Sequence, residues 1–91
     1  MTMAIAVSFT PTGMTTEQYD ETIKRLGDAG ALPAPSMLYH VCYGDSANLQ
    51  VGEVWESREA FDKFGEVLMP ILKDVGIGSE PEIGNVHNTM S

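Results

Sequence analysis

The hydrophobic period of this chain switches between two and about 3.6 residues in a fixed order, and that order leaves few folds open. Residues 3 to 9 alternate, with Met3, Ile5, Val7 and Phe9 on one face of a strand and Ala4, Ala6 and Ser8 on the other. Thr15-Thr16-Glu17-Gln18 has the form of a capping box, with Thr15 as N-cap, Gln18 at N3, and Met14 and Tyr19 at the hydrophobic-staple positions. Tyr19, Ile23 and Leu26 give the apolar stripe of the helix that follows, and Asp20/Lys24 and Glu21/Arg25 are i,i+4 pairs on its wet side. With Gly30 as a C′ stop, the spacing predicts a helix over about 16 to 29.

Met37 to Tyr43 and Leu49 to Glu56, rich in Val, Tyr, Leu and Trp, read as antiparallel strands joined through Gly44-Asp45-Ser46-Ala47-Asn48. Ser57 caps a second helix, with Phe61, Phe64, Leu68, Leu72 and Val75 at helical spacing and Glu59/Lys63 as an outward pair. Pro70 has no N–H and crowds the carbonyl of Glu66, so it is expected to kink or split this helix and leave a short final segment from Pro70 to Val75. Glu82 to Met90 supplies a closing strand.

The resulting order, βαββαβ, predicts an α+β fold of the ferredoxin-like kind: a four-stranded antiparallel sheet with both helices on one face, in a single domain over residues 1 to 91. A chain of this length buries only ~60% or slightly more of the surface its unfolded form exposes. Neither face of the first strand carries a charge, so the sheet face away from the helices also needs a cover. A second copy is the simplest one. The expectation is a homodimer in which two sheets pack face to face into an α/β barrel.

Five Lys and Arg against thirteen Asp and Glu give a net charge of -8, which repels phosphate backbones and anionic membranes, so neither nucleic acid nor a membrane is an expected partner. The N-terminal run Met1 to Phe9 has no basic n-region and is too short to span a bilayer. The single cysteine, Cys42, cannot form an internal disulfide, which fits a reducing, cytoplasmic setting. The sequence has no Gly-rich phosphate loop, dinucleotide fingerprint or nucleophile elbow.

The segment Val54-Trp55-Glu56-Ser57-Arg58-Glu59-Ala60-Phe61 resembles a signature of the dimeric α/β-barrel superfamily, in particular its antibiotic-biosynthesis monooxygenase-like families. There it marks the exit of the third strand and the first turn of the second helix. The resemblance implies a barrel dimer and one of three roles: cofactor-independent oxygenation of aromatic polyketides, haem degradation, or no known reaction. Trp55 matches the pocket tryptophan of the haem-degrading branch. That branch also needs an asparagine on the first strand, where this chain has Ala4, Ala6 and Ser8, and a haem-ligating histidine on the second helix, which has none. Haem degradation is therefore disfavoured, and no cofactor is expected. In the polyketide branch, which holds its substrate with Trp, Asn, Tyr and Arg side chains, Trp55 is the one residue that matches.

Several residues can carry either chemistry or packing. Trp55 suits a pocket wall facing an aromatic ligand, and equally a core at a strand end. His40 is a candidate general base or proton shuttle, and equally a structurally satisfied histidine. If Gly44 pairs with Leu49 across the hairpin, His40 faces Glu53; if Gly44 pairs with Asn48, Tyr39 stands there instead. His87 and Asn88 form a second polar pair on the closing strand, one of them pointing inward, though edge-strand polarity is the simpler role. Cys42 shares a strand face with His40 but has no orienting third group and reads as a small buried hydrophobe. Two histidines, one cysteine and Glu53 show no close metal-ligand spacing. Tyr39, Tyr43, Phe61 and Phe64, with Met69, surround an expected cleft between sheet and helices, where the small residues Ala4, Ala6 and Ser8 would oppose helices carrying Gly27 and Gly65. The break at Pro70 would widen its mouth. Together these residues suggest a monooxygenase-like protein that binds a small apolar or aromatic molecule. Trp55, Tyr39, Tyr43, Phe61, Phe64 and Asn88 would hold it, and His40 or His87 would handle protons. The alternative is a noncatalytic ligand-binding or structural homodimer of the same fold.

Overall fold

A computed structural model describes residues 4–90. Its elements follow the predicted order: β1 (Ile5–Phe9), α1 (Thr16–Asp28), β2 (Met37–Asp45), β3 (Asn48–Trp55), α2 (Arg58–Val75) and β4 (Glu82–Asn85). The four strands form one sheet in the order β2-β3-β1-β4, every neighbouring pair antiparallel, which is the ferredoxin-like arrangement. Met3, predicted into the first strand, lies outside the described residues.

Local chemistry places the helices as expected. The Thr15 hydroxyl accepts from the Gln18 backbone N–H at 3.1 Å and the Gln18 side chain accepts from the Thr15 N–H at 3.0 Å, so the capping box closes in both directions. Gly30, at φ +77°, reverses the chain after α1. Ser57 caps α2 by accepting from the Ala60 N–H at 3.1 Å.

The predicted split at Pro70 is not observed. α2 runs as one helix from Arg58 to Val75 with Pro70 inside it. Glu66, Met69 and Pro70 all lie on its more exposed side, where water can satisfy the Glu66 carbonyl, while buried Leu68 and Leu72 hold both halves against the sheet. The closing strand is also shorter than predicted. Among the described residues, its pairing with β1 runs from Ile5↔Asn85 to Ser8↔Glu82, and one further bond, Val86 N–H to the Ala4 carbonyl, extends it.

Both helices cover the sheet face formed by Ile5, Val7, Phe9, Leu49, Val51 and Trp55, which cluster with Leu26, Phe61, Phe64, Leu68 and Leu72. Ala6 and Ser8 therefore turn away from the helices, and the expectation that small first-strand residues open a cleft beneath them is corrected: the large face of β1 lies there instead. Register puts Ala6 and Ser8 on the open face with Val54, Gly52, Gln50, Tyr39, Val41, Tyr43, Gly84 and Glu82. That face has a large exposed apolar component, with Tyr39 59% and Tyr43 51% accessible.

Two backbone features tune β2. Gly44 pairs with Leu49 at φ +113°, and a Cβ there would sit 2.9 Å from the Asn48 carbonyl oxygen, so only glycine fits beside the Ser46-Ala47 turn. At the other end the register shifts between Met37↔Trp55 and Tyr39↔Val54, leaving Leu38 as the extra residue of a bulge. Strict alternation would set Met37 and His40 on opposite faces. The bulge lets both point at the helices.

Candidate functional site

With Gly44 opposite Leu49, His40 stands directly opposite Glu53, the first of the two registers that the sequence allows. Glu53 and Trp55 are two apart on β3 and so share its inner face. Tyr19 reaches the same spot from the first turn of α1, its ring stacked near the His40 imidazole with centroids 6.0 Å apart. The four side chains form one hydrogen-bonded series. Trp55 Nε1–H donates to Glu53 Oε1 at 2.8 Å, His40 Nδ1 meets Glu53 Oε2 at 2.7 Å, and His40 Nε2 meets Tyr19 Oη at 2.7 Å.

Glu53 is 6% exposed. Burying a carboxylate costs several kcal/mol unless donors replace its water, and here both oxygens have one. Because a carboxylate only accepts, His40 donates from Nδ1–H, and in the neutral tautomer that this selects Nε2 accepts from the Tyr19 hydroxyl. Burial, followed by the nearby Cys42, Glu53 and Asp20, pushes the Tyr19 hydroxyl above its ordinary pKa, so it stays protonated and donates. Burial and then Asp20 likewise raise the Cys42 thiol, which disfavours the reactive thiolate. Every buried side-chain nitrogen and oxygen among the described residues has a partner.

The series ends in a cavity of about 290 Å³ between the sheet and both helices, partly open to solvent. Phe9, Val51, Leu26, Phe64, Leu68 and Leu72 are among the apolar side chains of its wall. Tyr19, His40 and Glu53 are its polar end; Thr22, whose hydroxyl donates to the Gln18 carbonyl at 2.8 Å, and Ser79 are the other polar side chains lining it. No Lys or Arg among the described residues lines it. Among the described residues no group of three or more His, Cys, Asp or Glu could hold a metal ion, and no helix is long and apolar enough to cross a membrane.

The sequence-predicted residues divide three ways. Phe64 lines the cavity and His40 stands at its polar end. Trp55, 1% exposed, is packed behind the cavity against Phe64 and Phe61, with ring centroids at 4.8 and 5.7 Å, and Phe61 also meets Phe9 at 6.4 Å. Tyr39 and Tyr43 are on the open sheet face, and His87 and Asn88 are exposed beyond β4; none of these four reaches the cavity. Sequence reasoning assigned Tyr19 to a staple and an apolar stripe, and Glu53 only to one of two registers. The missed signal is chemical: a tyrosine on a core-facing stripe brings a hydroxyl that needs a partner, which a leucine there would not.

No protein-family model matches the sequence, and no curated protein matches it. Solved structures do resemble the fold. SnoaB, a cofactor-independent oxygenase from Streptomyces nogalater, superposes with a TM-score of 0.60 at 19% identity, covering 97% of this chain and 95% of its own. A Chloroflexus aurantiacus protein provisionally described as an antibiotic biosynthesis monooxygenase gives 0.64 at 16% identity, with 97% of each chain covered. An EthD-like protein from Ralstonia eutropha gives 0.67 at 14% identity over 100% of this chain and 98% of its own. These likenesses bear out the ferredoxin-like fold expected from the resemblance.

Proposed function

We propose that this protein is a cofactor-independent, monooxygenase-like enzyme that binds a small apolar or aromatic molecule between sheet and helices and takes a proton from it through His40. The observation that carries this reading is the series from Trp55 through Glu53 to His40, ending in a largely apolar cavity. An imidazole oriented by a buried carboxylate has the arrangement of a general base. Removing a proton from an activated CH₂ gives a carbanion that dioxygen can oxidise directly. The overall change is CH₂ + O₂ → C=O + H₂O, with the substrate supplying the electrons. Phe64 and the aliphatic wall would hold the rings. His87, Asn88, Tyr39 and Tyr43 take no part in proton transfer.

The open sheet face supports a homodimer as part of the same proposal. Tyr39, Val41, Tyr43 and Val54 form an apolar patch on that face, with Glu82 across the sheet on β4, and a second copy would cover the patch. The half-buried free thiol of Cys42 is consistent with a cytoplasmic setting.

Anthrone, whose CH₂ is flanked by two aryl rings, tests the activity through oxygen uptake and anthraquinone formation. Wild-type protein should accelerate uptake, and His40→Ala should lower kcat/KM by ~10²-fold or more, the lower range of a general base's contribution. A cavity that binds anthrone, read as raised thermal stability, without either effect would support the noncatalytic alternative.

A further inference from the structure

We infer that Tyr19 Oη is the atom that meets the ligand and receives its proton, acting as a relay to His40, and that the ligand presents a neutral O–H or an enolisable C–H to it. This rests on the proton-transfer reading above and deepens it. The reason lies in the occupancy of the imidazole nitrogens. An imidazole has two in-plane hydrogen-bonding positions, and in His40 both are taken: Nδ1 by Glu53 at 2.7 Å and Nε2 by Tyr19 at 2.7 Å. A ligand in the cavity cannot reach an unoccupied His40 nitrogen without displacing Tyr19. The Tyr19 oxygen, by contrast, spends its one hydrogen on His40 and keeps its acceptor capacity. Tyr19 also lines the cavity, from α1 rather than from the sheet.

The transfer balances as two linked proton moves. As the ligand's O–H or C–H bond breaks, its proton forms a new O–H bond at Tyr19. The hydrogen already on Tyr19 passes to His40 Nε2, giving an imidazolium beside the Glu53 carboxylate. Tyr19 ends as a neutral phenol, so the phenolate that its surroundings disfavour never accumulates. The only net charges created are the ligand anion and the imidazolium. The lack of lysine and arginine among the described residues of the wall gives no counter-charge to an acid that arrives ionised, so the ligand enters neutral.

A photoacid tests this without knowing the natural substrate. 2-Naphthol becomes strongly acidic on excitation and emits at longer wavelength as naphtholate only if a nearby group takes its proton. Excited beyond the tryptophan band, wild-type protein saturated with 2-naphthol should show naphtholate emission. His40→Ala and Tyr19→Phe should each return the bound dye to neutral-naphthol emission, a loss of ~10-fold or more in the band ratio. Replacing Tyr19 with 3-fluorotyrosine, which keeps the hydroxyl and nearly the same shape, should retain the wild-type spectrum. Naphtholate emission that survives Tyr19→Phe but not His40→Ala overturns the relay while leaving the His40 base standing. Loss in both Tyr19 variants also overturns it, as a packing effect. Failure of 2-naphthol to raise the melting temperature of wild-type protein overturns the aromatic-cavity reading itself.

Discussion

Replacing Glu53 with glutamine should leave the fold nearly intact and disable the base. The carboxylate accepts two hydrogen bonds, at 2.8 Å from Trp55 Nε1 and at 2.7 Å from His40 Nδ1. Indole N–H is only a donor, so in the Glu53→Gln variant the new amide oxygen must face Trp55, and the amide NH₂ turns to His40. His40 must then accept at Nδ1, which moves its proton to Nε2 and turns that nitrogen from acceptor to donor toward Tyr19. The Trp55 bond keeps its direction, and the two bonds of His40 survive with reversed polarity. Two charge-assisted bonds worth about 1.5–3 kcal/mol each become neutral bonds worth about 0.5–1.5, a loss of roughly 2–3 kcal/mol. Relief from burying a carboxylate, which costs several kcal/mol, offsets much of it. The expected net change by urea denaturation is within about 2 kcal/mol, the difference of those two contributions. Glu53→Leu, which orphans the buried Trp55 N–H at about 1–3 kcal/mol and leaves the partly buried His40 Nδ1–H without its acceptor, should cost clearly more. The tautomer switch is read by the imidazole ¹⁵N shifts of His40, and the same change of tautomer in a Ser-His-Asp triad lowers turnover ~10⁴-fold. An unprotonated Nε2 persisting in Glu53→Gln, or full turnover of anthrone by that variant, would refute the reasoning.

Three further outcomes follow from other parts of the molecule. Tyr39→Glu with Tyr43→Glu places charge on the open sheet face, 59% and 51% exposed at those positions, and should convert a dimer to a monomer in sedimentation velocity; wild-type protein that is already monomeric at micromolar concentration contradicts the barrel. Because the Tyr19 pKa is raised on folding, chiefly by burial, the folded state holds its proton at pH values where the unfolded chain has lost it. Stability contributed by the protonated hydroxyl is therefore lost as pH climbs from about 10 toward the folded value, and Tyr19→Phe should flatten that part of the alkaline unfolding profile. Gly44→Ala meets both a φ of +113° and a carbonyl oxygen 2.9 Å from the new Cβ. It should cost ~1–3 kcal/mol in chemical denaturation; a neutral result would mean the hairpin does not need its glycine.

The fold was legible because its signals were local and agreed with one another: alternation in β1, the Thr15 capping box, the Ser57 cap and the helical spacing of Phe61, Phe64, Leu68 and Leu72. Pro70 misled because a proline's cost depends on what the freed carbonyl can find, and on α2 that side faces solvent. The end of β4 was overextended because apolar alternation near a terminus does not reveal how far a partner strand continues; among the described residues, β1 pairs as far as Asn85 and makes one bond more, to Val86. The site was half legible. His40 and Glu53 could be paired by choosing a hairpin register, but the choice turned on Gly44, whose close approach to Asn48 is a three-dimensional fact. Tyr19 is 21 residues from His40 in sequence, and no pattern joins a helix staple to a strand histidine. The bulge at Leu38, which brings Met37 and His40 to one face, leaves no mark in the alternation it breaks.

The most direct measurement is a crystal structure of the protein with 2-naphthol bound. The rings should lie between the sheet and helices against Phe64 and Leu68, with the naphthol oxygen about 2.5–3.0 Å from Tyr19 Oη and the Tyr19–His40–Glu53 contacts preserved. A naphthol oxygen bonded to His40 Nε2 with Tyr19 swung aside would contradict the relay, and a ligand lying outside the cavity would contradict the site.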